Sequence, residues 1–519
     1  MSAIITPTFR RNAVGDFKAG IDNVNNNYYI GIGRLIPWDS IPGNPPTSEE
    51  SSLFNEPLPQ VTLAEEQDVR NELMTLVKIK ESSTVIPKNP WSQDRRYKRY
   101  DPNDALTFEL EGNLYPCITV SDDKIYLCIE NNTDGNGTIG ESSLEPHVNN
   151  ATFQSATQKV GGDRGDGYVW AYIGALTTNS KLDNDQFISI SSDLLTNASD
   201  ESPPGSGDNL KDAASAATGG LVYGYKIVDS PATVNLSTLT IVLEGVDSTG
   251  TKKADVNIVD VGSIASGFII EGPASDSGVD VLRYASNVFT TAPVGYKKAT
   301  VTAYNEVGGV RTKIDGIKII PLLAPLDGFG YDIKTHTPAH YIGLYARFAE
   351  GVDGEALTNS AYRQISVLKN PQRRTDDSPD DIDNVDVSLV YADAEAIDCL
   401  DYIQISGSDQ NLQAFDPGTV ITQAATGAKA QVVHVDLGGK RIYFQQQDQF
   451  NSNFLPFNTS SDITAVQGST NVTIQGADIV SLYTSEYIHD TGDVLFVDNR
   501  KRINRNQDQI EDLRIVIQF

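Results

Sequence analysis

A chain of 519 residues with 40 Lys+Arg against 69 Asp+Glu carries a formal net charge of −29 at pH 7. That charge repels phosphate backbones and anionic membranes, because nucleic-acid affinity comes largely from Lys and Arg displacing counterions. With 39% hydrophobic and 21% charged residues the chain is too apolar for wholesale disorder, and its length suits about three domains whose cores need neither disulfides nor metals.

The N-terminal stretch MSAIITPTFRRNAVGDF lacks an apolar core of signal-peptide length. No window approaches the roughly 18 apolar residues that a membrane helix needs, so membrane insertion is not expected and a cytosol-like compartment is. Helical signal is concentrated before Tyr100. One helix is expected near Arg10 to Val24 and an amphipathic one over Leu63 to Lys80, where Val69, Leu73, Leu76, Val77 and Lys80 recur at mostly three- and four-residue spacing behind Glu65 and Glu66.

Beyond Tyr100 the pattern changes to short runs of period two, rich in Val, Ile, Thr and Tyr and broken by Gly, Asn and Asp. Leu114–Val120, Lys124–Glu130, Tyr168–Ala175, Leu239–Glu244, Lys297–Tyr304 and Ile317–Leu322 read as strands. Strands without intervening helices make antiparallel sheets, sandwiches or small barrels. The expected fold is therefore mainly β, with sandwich-like modules and a few helices near the N-terminus.

Two polar stretches read as connections: Thr196 to Ala217, rich in Ser, Pro and Gly, and the Asp-rich run from Pro371 to Asp386. Two β-rich segments, about Gly219 to Pro321 and about Ala396 to Val480, look like added modules. No fixed period links them.

Little in the sequence points to catalysis. His147, His336, His340, His434 and His489 are scattered. Only His336 and His340 share a metal-like spacing, and Pro338 between them opposes the helix that would align the rings, so they read as two loop histidines. No nucleophile elbow, zincin helix, phosphate loop or dinucleotide fingerprint is present. Asn132, Asp134, Asn136 and Gly137 mimic the start of a calcium loop, but its twelfth position is Ser143 instead of a bidentate Glu. Cys117, Cys128 and Cys399 lack metal-ligand spacing and read as buried thiols. The tripeptide Arg164–Gly165–Asp166 runs straight into an apolar segment, unlike an exposed receptor-binding loop. No cofactor, metal or small-molecule substrate is expected.

Two basic clusters interrupt the acidic background. One is Lys88, Arg95, Arg96, Lys98 and Arg99, interleaved with Trp91, Tyr97 and Tyr100; the other is Arg500, Lys501, Arg502 and Arg505. Arg and aromatic side chains together suit protein–protein hot spots and equally suit single-stranded nucleic acid. A solvated loop and a hairpin edge are the competing reading. In so acidic a chain, pairing with acidic surfaces of its own copies or of neighbours is favoured over nucleic acid.

Five blocks carry a family resemblance: YIGIGRLIPWDS (Tyr29 to Ser40), LMTLVKIKESSTVIPKNPW (Leu73 to Trp91), GDGYVWAY (Gly165 to Tyr172), YRQISVLKNP (Tyr362 to Pro371) and GDVLFVDNRKRINRNQDQIEDLRIVIQF (Gly492 to Phe519). In this order they resemble the baseplate wedge subunit, the product of gene eight, of T-even-type contractile-tailed bacteriophages. The chain is longer than the T-even type member, and in this it is similar to relatives in phages of marine cyanobacteria.

The resemblance implies a non-enzymatic virion protein of the tail baseplate, assembled in the host cytoplasm, homodimeric and in contact with other wedge proteins. It also implies a discontinuous outer domain with a middle domain inserted in it. For this chain that gives a core of residues 1–105, 345–395 and 481–519, an inserted β domain of 106–218, and added modules of 219–344 and 396–480. Within that reading Arg34, Trp38 and Trp91, with Arg95, Arg96, Arg99, Arg500, Lys501, Arg502 and Arg505, are the candidate structural or interface positions. Trp38 and Trp170 also fit core-filling roles. The alternative function is a carbohydrate- or receptor-binding tail protein using its added modules, although none of the 3 Trp lies in either. A tail-associated glycosidase would need two facing carboxylates about 5 to 10 Å apart.

Overall fold

The computed structural model describes residues 5–35, 38, 57–60, 62–100, 114–121, 124–131, 139–146, 168–175, 180–190, 219–229, 238–247, 249–252, 257–260, 268–271, 280–284, 294–324, 328–329, 332–348, 361–374, 390–406, 412–446, 454–467, 470–505 and 510–519. The Asn132–Gly137 loop, His147, the Arg164–Asp166 tripeptide, the Thr196–Ala217 linker and most of the Pro371–Asp386 run lie outside them.

Strands dominate, and the period-two runs emerge as such: Ile118–Ser121, Lys124–Asn131, Tyr168–Ala175, Leu239–Val246, Lys298–Val307 and Lys318–Leu323. Leu114–Val120 is broken by a turn into Leu114–Tyr115 and Ile118–Ser121. Helix α1 spans Pro7–Asp22. It starts earlier than expected because the Thr6 hydroxyl accepts the Phe9 N–H at 3.2 Å and Pro7 occupies the first helical position, where its missing N–H loses nothing.

The helix expected over Leu63 to Lys80 is half strand. Helix α2 covers only Leu63–Asn71, capped by Thr62, and Leu73–Lys78 follows as a strand. Leu73, Met74, Thr75, Leu76 and Val77 are all buried, and the segment lies between the strands Tyr28–Gly33 and Ala396–Asp398. An unbroken apolar run fits a central strand as well as a helix, and pairing on both edges decides it.

The chain forms two compact units. The first comprises Met1–Asp16, Ser83–Gly343 and Val516–Phe519. One apolar cluster runs through it from Ile86 to Ala339. At its centre Trp170 meets Tyr97 edge-on at 5.1 Å and stacks on Tyr168 at 5.6 Å, with all three rings fully buried. Its hairpin Lys298–Val307/Val310–Lys313 turns on Gly308 and Gly309, whose φ angles of 60° and 82° are those of a primed turn that residues with a Cβ resist.

The second unit comprises Phe17–Ser82 and Leu344–Ile515. Its five-stranded antiparallel sheet runs in the order Ala396–Asp398, Leu73–Lys78, Tyr28–Gly33, Tyr362–Lys369, Asp493–Ile503. Between Asp401 and Tyr483 a seven-stranded sheet has edges, Thr470–Ile474 and Ile479–Tyr483, that are consecutive in the chain. All seven strands feed one apolar cluster, including Ile403, Ile421, Val432, Ile442, Ile463 and Ile479, so this sheet curls around a core of its own.

His336, expected in a loop, sits in a short helix, Ile333–His336, and is fully buried with its Nε2 3.2 Å from the Gly328 carbonyl oxygen. Burial pushes its pKa down to about 4, with the Gly328 carbonyl opposing. Below the ordinary histidine pKa of about 6.5 the unfolded chain takes a proton that the folded chain refuses, so this group's contribution is full above that pH and declines as pH falls toward 4. Between pH 7 and pH 5, His336→Phe should therefore lose less melting temperature than the parent protein; equal losses in a calorimetric comparison would refute the assignment.

Candidate functional site

In the second unit the first resemblance block ends in a sharp turn. Gly33 packs so closely that a Cβ there would lie 2.5 Å from the Glu72 carbonyl oxygen, and Arg34 follows with φ 57°, donating its N–H to that same oxygen at 3.0 Å. The turn aims the guanidinium inward. Arg34 Nη1 lies 2.8 and 2.9 Å from the two oxygens of the buried Glu72 carboxylate, and its Cζ sits 4.1 Å over the Trp38 ring. Trp38 Nε1 in turn donates to the Arg500 carbonyl at 2.8 Å, while Arg363 Nη1 donates to the Leu35 carbonyl.

Arg34, Trp38 and Arg500 are thus brought together, as a clasp between the N-terminal segment and the strand Asp493–Ile503. Arg500 also pairs with Asp498 at 2.6 Å. Lys501 and Arg502 are exposed on the same strand and form no ion pair among the described residues. Arg505 is only 5% exposed and pairs with Glu511 at 3.0 Å under the Phe348 ring, so in the single chain it faces inward.

The other basic cluster lies in the first unit. Trp91 Nε1 donates to the Ser142 hydroxyl at 3.1 Å with its ring against the apolar cluster. The Arg95 guanidinium stands 5.3 Å over Tyr115, Arg96 pairs with Glu141 at 3.2 Å, and Arg99 is half-buried. Arg95 is the exposed member.

A cleft of about 400 Å³ opens in the second unit, where the end of α2, supplying Gln67 and Asn71, meets the curled sheet and the turn carrying His489 and Asp490. Nothing in sequence spacing announces it, because its residues come from segments hundreds of positions apart. Asp401 lines it and accepts the Ser485 N–H at 2.8 Å; burial raises the Asp401 carboxyl pKa, and His489 and Arg374 oppose this.

The adjacent Cys399 thiol is also pushed up by burial, which makes it a poor nucleophile. Ser485 Oγ lies 3.4 Å from His489 Nε2, but it donates to the Tyr487 carbonyl at 3.0 Å. Because Asp401 holds a serine backbone and does not orient the imidazole, these three side chains do not form an activated hydroxyl. Among the described residues no three His, Cys, Asp or Glu gather as a metal site, and no helix is long and apolar enough to cross a membrane.

On the outer face of the curled sheet, Tyr483, Tyr402 and Tyr443 form a cross-strand row. Tyr402 and Tyr483 stack on each other at 4.3 Å, with Arg441 5.0 Å over Tyr402. These ring faces are spent on one another, which disfavours a sugar-stacking platform.

No protein-family model and no curated protein sequence matches this chain.

Removing one partner of a buried ion pair leaves the other charge uncompensated, at a cost of about 3 kcal/mol or more. Arg34→Met should therefore lower the unfolding free energy of the second unit by about that amount in urea titrations, and adding Glu72→Gln should recover most of the loss. A double variant no better than the single would show that the pair is not the source.

Burial pushes the Asp398 carboxyl up to about 7, with the charges of Glu486 and Asp401 adding to it. Burial raises Glu72 to about 7 as well, against the pull of Arg34. From about pH 4 upward the unfolded chain releases protons that these folded carboxyls keep, so their stability contribution is full below pH 4 and lost as pH rises through 7. Asp398→Asn retains an acceptor for the Leu400 N–H without the charge. It should flatten the fall in unfolding free energy between pH 4.5 and pH 7.5; an unaltered slope would count against the assignment.

Proposed function

We propose that this protein is a structural subunit of a contractile bacteriophage tail, of the baseplate wedge type, acting as a homodimeric scaffold that links neighbouring wedge proteins. It functions through surface complementarity and not through chemistry on a substrate, taking part in wedge assembly and in the triggering of sheath contraction.

The observation that carries this reading is where the resemblance blocks fall. Four of the five supply strands of a single sheet: Tyr28–Gly33, Leu73–Lys78, Tyr362–Lys369 and Asp493–Ile503 are adjacent in it. Segments near both chain ends and from beyond the middle thus converge on one structure, as a shared core would require. The same convergence supports a discontinuous outer domain with the intervening chain inserted in it, and the curled sheet of Asp401–Tyr483 is the counterpart of an added module. The exposed Lys501 and Arg502 supply the docking charge.

Two measurements test this. Sedimentation velocity should give a species of twice the 56.3 kDa chain mass; a strictly monomeric protein would weigh heavily against the wedge reading. Lys501→Glu with Arg502→Glu should block incorporation into reconstituted wedges while leaving circular dichroism and melting unchanged, and normal incorporation would strike this patch from the account.

A further inference from the structure

The cleft in the second unit is of a size that holds small ligands, typically about 300 to 1,000 Å³, and its lining has a definite chemical bias. Asp401 and Asp490 line it. Asp398 and Glu486 stand close enough for their charges to act on the same cluster. His489 and Arg374 offset the burial that raises the Asp401 carboxyl pKa, and neither Asp401 nor Asp490 forms an ion pair among the described residues. Two carboxyl groups thus line the cleft with two more nearby, and no lysine or arginine lines it.

The rest of the lining narrows the ligand. Phe444 forms part of the wall, and Phe454, 46% exposed, belongs to it as well. Gln67 and Asn71 add side-chain amide oxygens that can accept hydrogen bonds. An anion would be repelled. A hard divalent cation needs six or more oxygens in a shell, and aromatic rings supply none. A cation carried on an alkyl chain uses every part of the lining: carboxylates and amide oxygens for N–H donors, ring faces for methylene groups and for cation–π attraction.

We propose that this cleft is a binding site for a primary alkylammonium group, borne either by a free alkylamine or by a lysine side chain of another chain. The site is independent of the wedge reading, since it follows from the shape and charge of the second unit alone. Its apolar walls separate it from the general attraction of a −29 chain for cations, which salt screens over about 10 Å at 0.1 M.

The test uses the full-length protein with two probes, cadaverine and Nα-acetyl-lysine amide, in isothermal titration calorimetry at 0.15 M salt. Asp401→Asn with Asp490→Asn is the diagnostic variant. Asn still accepts the Ser485 N–H, and at position 490, where φ is 66°, it tolerates the left-handed conformation. Asn71→Lys is a second variant that fills the cleft with a tethered ammonium at the end of α2, where a cation is favoured by the helix dipole. Glu244→Gln with Asp247→Asn, in the first unit, reports non-specific attraction.

Saturable binding of stoichiometry one, weakened at least tenfold in both cleft variants and unchanged in the control, is the expected result. Binding of both probes, or of cadaverine alone, identifies a free-amine site, and binding of the lysine amide alone identifies a site for another chain's lysine. No saturable binding of either probe, or equal binding by a folded cleft variant, overturns the proposal.

Discussion

The second unit depends on closing a sheet from chain segments that are far apart in sequence, and the Arg34–Glu72 pair sits where that closure is hardest. Tyr28–Gly33 lies between Leu73–Lys78 and Tyr362–Lys369, and its register against Leu73–Lys78 slips at Ile32/Gly33. A slip of one residue would move every side chain of the strand to the opposite face, so that neither buried face would pack. The backbone bond from Arg34 to the Glu72 carbonyl and the two contacts to its carboxylate hold the slip in one place. Gln445 from the curled sheet then donates to the Glu72 and Leu73 carbonyls at 2.7 and 3.0 Å, so the curled sheet and the five-stranded sheet are tied to the same turn. Loop-closure entropy grows only logarithmically, by about 0.6 kcal/mol per doubling of loop length. Once that turn is fixed, a long intervening segment adds little further cost.

The strong acidity of the chain has two structural consequences. Several of its candidate docking cations are already paired within the chain: Arg34 with Glu72, Arg96 with Glu141, Arg505 with Glu511. What the sequence presents as a four-residue basic cluster is, on the surface, chiefly Lys501 and Arg502 beside an Arg500 already paired to Asp498. The second consequence is the reverse of the first. Around Asp398 and Asp401 burial raises both carboxyl pKa values, and the charges of Glu486 and Asp401 add to the shift of Asp398.

Secondary structure was legible wherever one period was unambiguous. The runs Tyr168–Ala175 and Leu239–Val246 could be read as strands directly from their alternation. Leu73–Lys78 could not, because burial on both faces erases the period and leaves a string that suits a helix equally well. Glu65 and Glu66 rightly marked the first turn of α2, yet such a signal says where a helix starts and not where it ends. His336 was misread because Pro338 argues against a shared helix face, but not against one buried turn ending at His336. The burial of Arg505 was hidden for a different reason: its partner Glu511 lies six positions on, a spacing that carries no signal of contact in either a helix or a strand. The cleft was illegible altogether, since Gln67, Asp401 and Asp490 acquire a common environment only through tertiary closure.

The cleft, the clasp and the exposed basic pair are physically contiguous. Asn71 lines the cleft, the next residue Glu72 holds Arg34, Arg34 stacks on Trp38, and Trp38 caps the carbonyl of Arg500 beside Lys501 and Arg502. Contiguity of this kind becomes coupling only through an element with two arrangements. At the turn of Gly33–Arg34 a left-handed backbone, a half-exposed tryptophan and a carboxylate raised toward neutrality meet. Protonation of Glu72 would remove its charge without removing its shape, loosening Arg34 from below while leaving Trp38 above it. The same short stretch therefore fixes the sheet register and lines the cleft, and through Arg34 it positions the tryptophan that covers the strand Asp493–Ile503.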